Sequence, residues 1–582
     1  MVYRASMPRA ERETEPAAAS PMAIPESVAP EPIGPDPGEA QLPDAGGRGS
    51  FWVASGILVS RLFGLVRERV FAYYLGNSVA AGAFKAAFRI PNFLQNLFGE
   101  GVLSASFIPV YANLIAHSDR EEADHVASAV FAWLALVTGL LVAAGLLLAP
   151  QMISLIAPGF RGESRELTIQ LVRIFFPGTG LLVLSAWCLG ILNSHRKFFV
   201  SYAAPVIWSC AQIVALVGWG NRVDSDRLAW YVAFGAAAGS ALQFLVQLPW
   251  VLHVLKRFRP VLLARHASTQ SVFRNFLPVL LGRGVVQISA FVDTAYASLI
   301  SERAVSALAY AQMIYLLPVS LFGMAVSAAE LPAMSQAIGT VEEVAATLRK
   351  RVDEGLARIA YFVVPSAAAL LCLGDVIGAA LLQTGRFHAE DSRYLWYLLM
   401  GGSVGLLAAT LGRLYASTFY ALRDARTPLY FAVLRVLVTV VLAYWAAVKL
   451  PGQLGVPREL GAAGITGTTG LVAWLEYLLL RRSLGKRIGK TGLGASRLVR
   501  LWGAAGLGAG VGLSVKALLA RLYGSAANTM EWGAGVLPFP ALHPVAVGVL
   551  VLVPFVAAYF AATLVLRIPQ ADAVLRRLAL RR

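Results

Sequence analysis

The chain has 582 residues, of which 57% are hydrophobic and only 14% charged, and its mean hydropathy is +0.64. A soluble chain of this length would divide into several domains and carry about 25% charge. The composition therefore excludes most soluble enzyme classes and predicts an all-α polytopic membrane protein. The 50 Lys and Arg against 33 Asp and Glu, a net charge of +17, would suggest nucleic acid only if the basic residues failed to fall in alternate loops.

Residues 1–49 stand apart. They are rich in Pro, Ala and acid and offer no apolar helical face, so they read as a disordered cytoplasmic tail. They also lack the basic start, apolar run and cleavage site of a signal peptide, which makes the first span a signal anchor. From residue 51 about fourteen stretches reach the roughly 20 residues that a span needs. They lie near 51–74, 84–116, 126–150, 167–193, 200–221, 229–255, 273–300, 304–338, 356–384, 393–420, 428–449, 460–480, 498–520 and 541–566. Pro91, Pro109, Pro318 and Pro332 interrupt spans two and eight, which is tolerated where neighbours or a cavity satisfy the freed backbone groups.

With the N-terminus inside, about 25 basic residues fall in the cytoplasmic loops and about 10 in the opposite ones, a positive-inside bias. The densest groups are Lys256 to Arg274, Arg349 to Arg351, Arg481 to Arg500 and Arg567 to Arg582. Both termini are then cytoplasmic and the basic excess needs no nucleic acid. The three cysteines, Cys188, Cys210 and Cys372, lie far apart in apolar runs and suggest neither disulfides nor a metal site.

A weak internal repeat sets the domain boundaries. Arg61 and Arg283 are 222 residues apart, Pro109 and Pro332 are 223, Phe160 and Phe387 are 227, and Arg196 and Arg426 are 230. This near-constant offset predicts two parallel six-helix lobes, 50–265 and 266–490, with two further helices in 491–582. Transporters commonly bind substrate between such halves.

One apparent nucleotide motif is a decoy. In GKRIGKT, residues 485–491, three residues separate Gly485 from Gly489 where a Walker A loop needs four, and no βαβ unit surrounds it. No segment has room for an ATPase domain, so energy must come from an ion gradient (Na+ or H+) or the membrane potential, and no cofactor is expected.

Ionisable residues inside spans carry more information, since they are costly there and usually face a cavity. In span one Ser60, Gly64 and Arg67 share a face, with Arg61 and Glu68 about 100° around. In span two Lys85, Arg89, Asn92, Gln95, Asn96, Gly99 and Glu100 form a basic and amide-rich stripe. Snorkelling competes as an explanation, above all for Lys85 and Arg69 near helix ends. Span seven adds Arg283, Gln287 and Asp293, and span eight Gln312 and Glu330, the last equally suited to a local capping role. Arg413, Arg435 and Glu476 read as interhelical pairs. Arginines converging from both lobes suit an anion, because the planar fork gives paired hydrogen bonds without losing charge. A lipid-linked diphosphate fits both the charge and the membrane setting.

SRLFGLVRE (60–68) and AFKAAFRIPNFLQNLFGEGVLSASFIPVY (83–111) resemble the first two helices of the MurJ (MviN) lipid II flippase family, of the multidrug/oligosaccharidyl-lipid/polysaccharide exporter superfamily. APGF at 157–160, LNSHRKF at 192–198, QISAFVDT at 287–294 and YALRDARTP at 420–428 continue the resemblance. It implies fourteen helices in two lobes around a central cationic cavity, with a groove beside the last two helices for a polyprenyl tail. The implied substrate is undecaprenyl-diphosphate-linked disaccharide-pentapeptide, moved to the outer leaflet for peptidoglycan synthesis. Ser60, Arg61, Arg67, Asn92 and Glu100 fall on motif positions, and Glu68 replaces the usual aspartate. Departures are Gln95 and Asn96 for basic residues, Gly82 for an aspartate and Met313 for a cavity arginine, with Arg283 and Lys85 as candidates to restore the charge. Asp293 falls on a sodium ligand of some members and Thr469 on another, whereas Thr439 and Ala443 replace two more, which argues against sodium. The substrate-binding candidates are therefore Ser60, Arg61, Arg67, Glu68, Arg89, Asn92, Gln95, Asn96, Glu100, Arg283 and Gln287, with Asp293 and Thr469 for ion coupling. Expected partners are lipid II and membrane lipids. Another polyprenyl-diphosphate glycan or amphiphile, or a scaffold that does not transport, are the alternatives.

Overall fold

Polar side chains at loop ends start the long helices. Asp119, Asp224, Ser78 and Ser301 each accept a hydrogen bond from a first-turn amide, and Thr340 forms a reciprocal capping box with Glu343; such a cap contributes about 1 kcal/mol. The computed structural model describes residues 48–195, 197–262, 267–337, 339–523 and 542–579; residues 1–47 of the expected tail lie outside them. In chain order the first lobe comprises α1 (Arg48–Leu75), α2 (Val79–Leu94), α3 (Leu103–Ser106), α4 (Ile108–Ala116), α5 (Arg120–Ile156), α6 (Gly162–Ser194), α7 (Phe198–Trp219) and α8 (Ser225–Val254). A long α9 (Ala267–Ile300) follows. The second lobe holds α10 (Glu302–Pro318), α11 (Ala325–Ser335), α12 (Val341–Leu382), α13 (Ala389–Ala421), α14 (Arg426–Tyr444), α15 (Leu450–Leu454) and α16 (Gly461–Ile488). Last come α17 (Ala495–Tyr523), α18 (Pro544–Val565) and the short α19 (Pro569–Ala579). The helix α16 runs through Gly485 and ends at Ile488, so the GKRIGKT segment is a helix terminus, not a phosphate loop.

Eleven helices among the described residues are long and apolar enough to cross a membrane, and the shorter apolar stretch Ile288–Ile300 adds to them. The expected spans at 51–74, 84–116 and 273–300 are helical as α1, α2 to α4, and α9. Each carries ionisable residues in its middle, which lowers its hydropathy; the expected number fourteen is not confirmed by the eleven.

The prolines in spans two and eight do more than interrupt. A π-helical turn, Gln95–Val102, follows Pro91 by four residues, and a second, Val319–Met324, begins directly after Pro318. Their starts are 224 residues apart, within the offset of the sequence repeat, so both lobes carry the same defect at the same place. Such turns widen a helix and re-aim its side chains.

The lobe boundary is not a clean cut at 266. Early residues of α9 pack on the first lobe, Phe273 against Trp133 and Phe276 against Phe98. Late ones join the second lobe, where the Tyr296 hydroxyl donates to the Val440 carbonyl at 2.9 Å. The α17–α18 pair packs on α12, with Tyr559 donating to the Tyr361 carbonyl at 2.6 Å and Lys516 bonded to Asp375.

The lobes meet at the end where α1 finishes and α2 begins. There the Arg386 amide donates to the Tyr73 carbonyl at 2.8 Å, and Tyr310 donates to the Gly76 carbonyl at 3.0 Å. Arg69 donates to the carbonyls of Ala380 and Leu381, at 2.6 and 2.9 Å. Its guanidinium thus caps the last turn of α12 and does not snorkel.

Candidate functional site

The ionisable residues of α1 and α2 come together between the lobes. Glu68 is the hub: Oε1 accepts from Arg67 Nη2 at 2.8 Å and Oε2 from Lys85 Nζ at 2.6 Å. All three side chains are less than a fifth exposed, so Lys85 also does not snorkel. Aromatic faces complete the setting. The Arg67 guanidinium lies 4.7 Å from the Trp208 ring centre, and the Lys85 ammonium 4.3 Å from Phe71 and 5.3 Å from Tyr310. Cation–π contacts of this kind offset part of the cost of taking charge out of water.

One turn further along α2, Arg89 reaches across to the other helices. It donates to the Ala290 carbonyl at 3.0 Å and to Gln312 Oε1 at 3.0 Å. Arg61, exposed on α1, donates to Ser320 Oγ at 2.8 Å, in the second π-helical turn. First-lobe arginines thus touch second-lobe acceptors at two levels. Ser60, Asn92, Gln95 and Asn96 are half-buried, and their side chains make no hydrogen bond among the described residues, which leaves those polar groups free for a ligand. The side chains of Glu100, Arg283 and Gln287 lie outside the described residues.

Deeper in the second lobe, Asp293 feels the charges of Arg89 and Arg435. Its Oδ1 and the hydroxyls of Thr439 and Thr469 are buried without hydrogen-bond partners. One carboxylate and two hydroxyls are the hard oxygen donors a small cation uses, and Thr439 keeps an oxygen where the resemblance counted a lost ligand; Ala443 does not.

Two expectations change. Lys85 is not a free cavity cation, because it shares Glu68 with Arg67, and the three together keep one net positive charge. Glu330 is no local cap: it pairs with Arg351 and Arg358 of α12, both at 3.4 Å. Met313 faces an apolar cavity of about 130 Å³ with Leu65, Val66, Arg69, Leu381 and Leu382. Sequence reasoning missed Trp208 and Ser320, which sit in apolar runs and carry no signal until the helices pack.

Arg61, Arg67, Lys85 and Arg89 against Glu68 and Asp293 leave an excess of positive charge between the two helical lobes. The sequence profile of the family described as "Lipid II flippase MurJ" matches residues 71–534. The chain belongs to that family. Similar relatives include the "Probable lipid II flippase MurJ" of Rhizobium meliloti (strain 1021), 32% identical over 74% of this chain and 79% of that one. Another is the "Lipid II flippase MurJ" of Burkholderia cenocepacia, 32% identical over 74% of this chain and 82% of that one. Among solved structures, a "Lipid II flippase MurJ, inward closed conformation" aligns with a TM-score of 0.71 at 21% identity, over 89% of this chain and 98% of that one. An inward-facing multidrug resistance MATE family transporter aligns at 0.58 and 19% identity, over 75% of this chain and 98% of that one. These two likenesses show a shared fold. The chain is a multi-pass protein of the bacterial inner membrane, in a family of transporters rather than catalysts.

Within the cluster Arg67 is the residue to test. Its Nη2 is bound to Glu68 and its face to Trp208, which fix the plane of the fork. Arg67→Ala is expected to abolish complementation of a flippase-depleted strain at normal membrane levels. Arg67→Lys should rescue poorly, because an ammonium lacks the fork. Full activity of Arg67→Ala would refute an anion-binding role.

Proposed function

We propose that this protein translocates lipid II, the undecaprenyl-diphosphate-linked peptidoglycan precursor, from the inner to the outer leaflet by alternating access. The observation that carries the reading is the Arg61, Arg67, Lys85 and Arg89 group between the lobes, with an excess of positive charge at membrane depth. Forked guanidinium donors hold a diphosphate, and the half-buried amides of Asn92, Gln95 and Asn96 add neutral donors beside it. The loop-charge bias puts both termini in the cytoplasm. On that orientation the joined end of the lobes is the outer one, so the resting state is closed to the outside and takes substrate from the cytoplasmic leaflet. The pair α17–α18 would hold the polyprenyl tail.

Energy would come from the membrane potential or a cation. Asp293, Thr439 and Thr469 fit a small cation by donor type, while the nearby Arg89 and Arg435 already balance the carboxylate and favour the potential. The chain, expressed in a strain depleted of its own lipid II flippase, should restore growth. Failure to do so at normal membrane abundance would overturn the reading.

A further inference from the structure

The end of α12 that Arg69 caps is gripped from two sides, and only one of them belongs to the first lobe. α12 is not one continuous rod: Leu373 has φ −128° and ψ 18°, outside the helical region. Two residues before it, the Leu371 carbonyl accepts from Trp396 Nε1 of α13 at 2.9 Å. A side chain that enters the helix ladder is one cause of such a break. Residues 374–382 therefore form a short tip, joined to the rest of α12 through a non-helical residue.

The tip is tied at both of its ends. Near the break the Asp375 carboxylate accepts from the Val376 amide at 2.8 Å and pairs with Lys516 of α17. The Lys516 ammonium also lies 5.5 Å from the Trp396 ring centre. At the far end Arg69 of α1 donates to the Ala380 and Leu381 carbonyls. Glycines bring α17 and α18 close: a Cβ at Gly512 would stand 2.8 Å from Leu373 Cδ1, and one at Gly548 2.6 Å from Ala380 Cβ. One short segment thus carries α17–α18 on one side and the first lobe on the other.

Adhesion alone does not call for an ion pair here. Leu373, Val376, Val547, Val551 and Phe555 already form a buried apolar cluster between α12, α17 and α18. Replacing a buried pair by well-packed apolar residues is often neutral or stabilising. Yet the side chains of Asp375 and Lys516 are only 9% and 25% exposed, and charges within spanning helices are costly and usually serve a function. What the pair adds to the apolar contact is direction, because it fixes one register of α17 against the tip.

We propose that Lys516 is a positioning residue of the transport cycle: it holds the tip of α12 where Arg69 can cap it, so that the α17–α18 pair and the joined end of the lobes stabilise each other. The link rests on the alternating-access reading of the chain. It is reciprocal, as any coupling is. Loosening Lys516 frees the tip to turn about Leu373, and parting the lobes at Arg69 releases the tip toward α17.

The test uses the full chain in lipid nanodiscs, with Cys188, Cys210 and Cys372 replaced by alanine and spin labels at Val79→Cys and Val456→Cys across the joined end. Lys516→Met combined with Asp375→Asn deletes the pair without stranding a charge. Its thermal midpoint should stay near that of the parent, while the ratio of short to long label distances falls by about fivefold or more. Arg69→Gln should shift the ratio in the same direction. Adding it to the pair-deleted variant should bring little further change, because both break one chain of contacts. Lys516→Arg, which keeps the charge, should retain the parent distribution. An unchanged distribution in the pair-deleted variant refutes the link, and so do shifts that simply add to that of Arg69→Gln. A marked fall in the midpoint also overturns it, since the pair would then be structural. Growth of the flippase-depleted strain is scored separately: a parent chain that fails to complement ends the transport reading, and the distances then decide the link by themselves.

Discussion

Glu68→Ala is expected to deplete the folded protein, an outcome distinct from the loss of function expected for Arg67→Ala. Glu68 neutralises two cations at once, and both are largely shielded from water, with side-chain exposures of 17% for Arg67 and 12% for Lys85. Removing the shared carboxylate leaves two like charges facing each other in an apolar setting. Breaking a buried pair in this way costs about 3–5 kcal/mol, a large fraction of typical total stability. Arg67→Ala, in contrast, leaves Glu68 paired with Lys85 and should keep most of the fold. The check is fluorescence-detected size exclusion with a thermal ramp: Glu68→Ala should lose its monodisperse peak and Arg67→Ala should retain it. Glu68→Ala combined with Lys85→Met should recover part of the loss, since deleting both partners removes the stranded charge. A Glu68→Ala protein as stable as the parent would show that the hub is not structural.

How much of this was legible in the sequence depends on range. Helical spacing alone grouped Arg67 with Ser60 and Gly64, and Lys85 with Arg89, into polar stripes, because periodicity is a local property. It could not say that Glu68 would serve both Arg67 and Lys85, since α1 and α2 had first to cross at the right height. The Arg61–Ser320 and Arg89–Gln312 contacts span 259 and 223 residues, and no local pattern encodes them. Charge pairing was half readable. Arg435 and Glu476 do pair, whereas Arg413 makes no ion pair among the described residues. The prolines of spans two and eight announced irregular helix, yet the matching π-helical turns emerge only from the backbone. The straddling of α9 was hidden for a similar reason: its aromatic residues look alike along the sequence, and only their partners assign them to different lobes.

Gly82→Asp should hold the joined end of the lobes apart and stop transport. A Cβ at Gly82 would overlap the Glu302 carbonyl, one at Gly159 the Ser298 carbonyl, and one at Gly76 the Arg386 carbonyl. Each obstacle is backbone of α9, of α10 or of the turn before α13, so no side-chain rotation relieves it. Gly76 also has a φ of +59°, which disfavours any other residue there. Three first-lobe glycines thus let the two lobes close backbone to backbone, and this accounts for glycine at position 82. Overpacking costs typically 1–3 kcal/mol, and it falls only on the closed state. That is enough to shift the balance between two conformations by roughly 5- to 150-fold. Spin labels at Val79→Cys and Val456→Cys, on the first and second lobes near this end, should report a longer distance in Gly82→Asp than in the glycine parent. Growth of the flippase-depleted strain should fail while membrane abundance holds, because a transporter that cannot seal its outer end cannot complete the cycle. An unchanged distance distribution with full growth would mean that the end has slack the backbone contacts do not reveal, and the glycines would then serve packing alone.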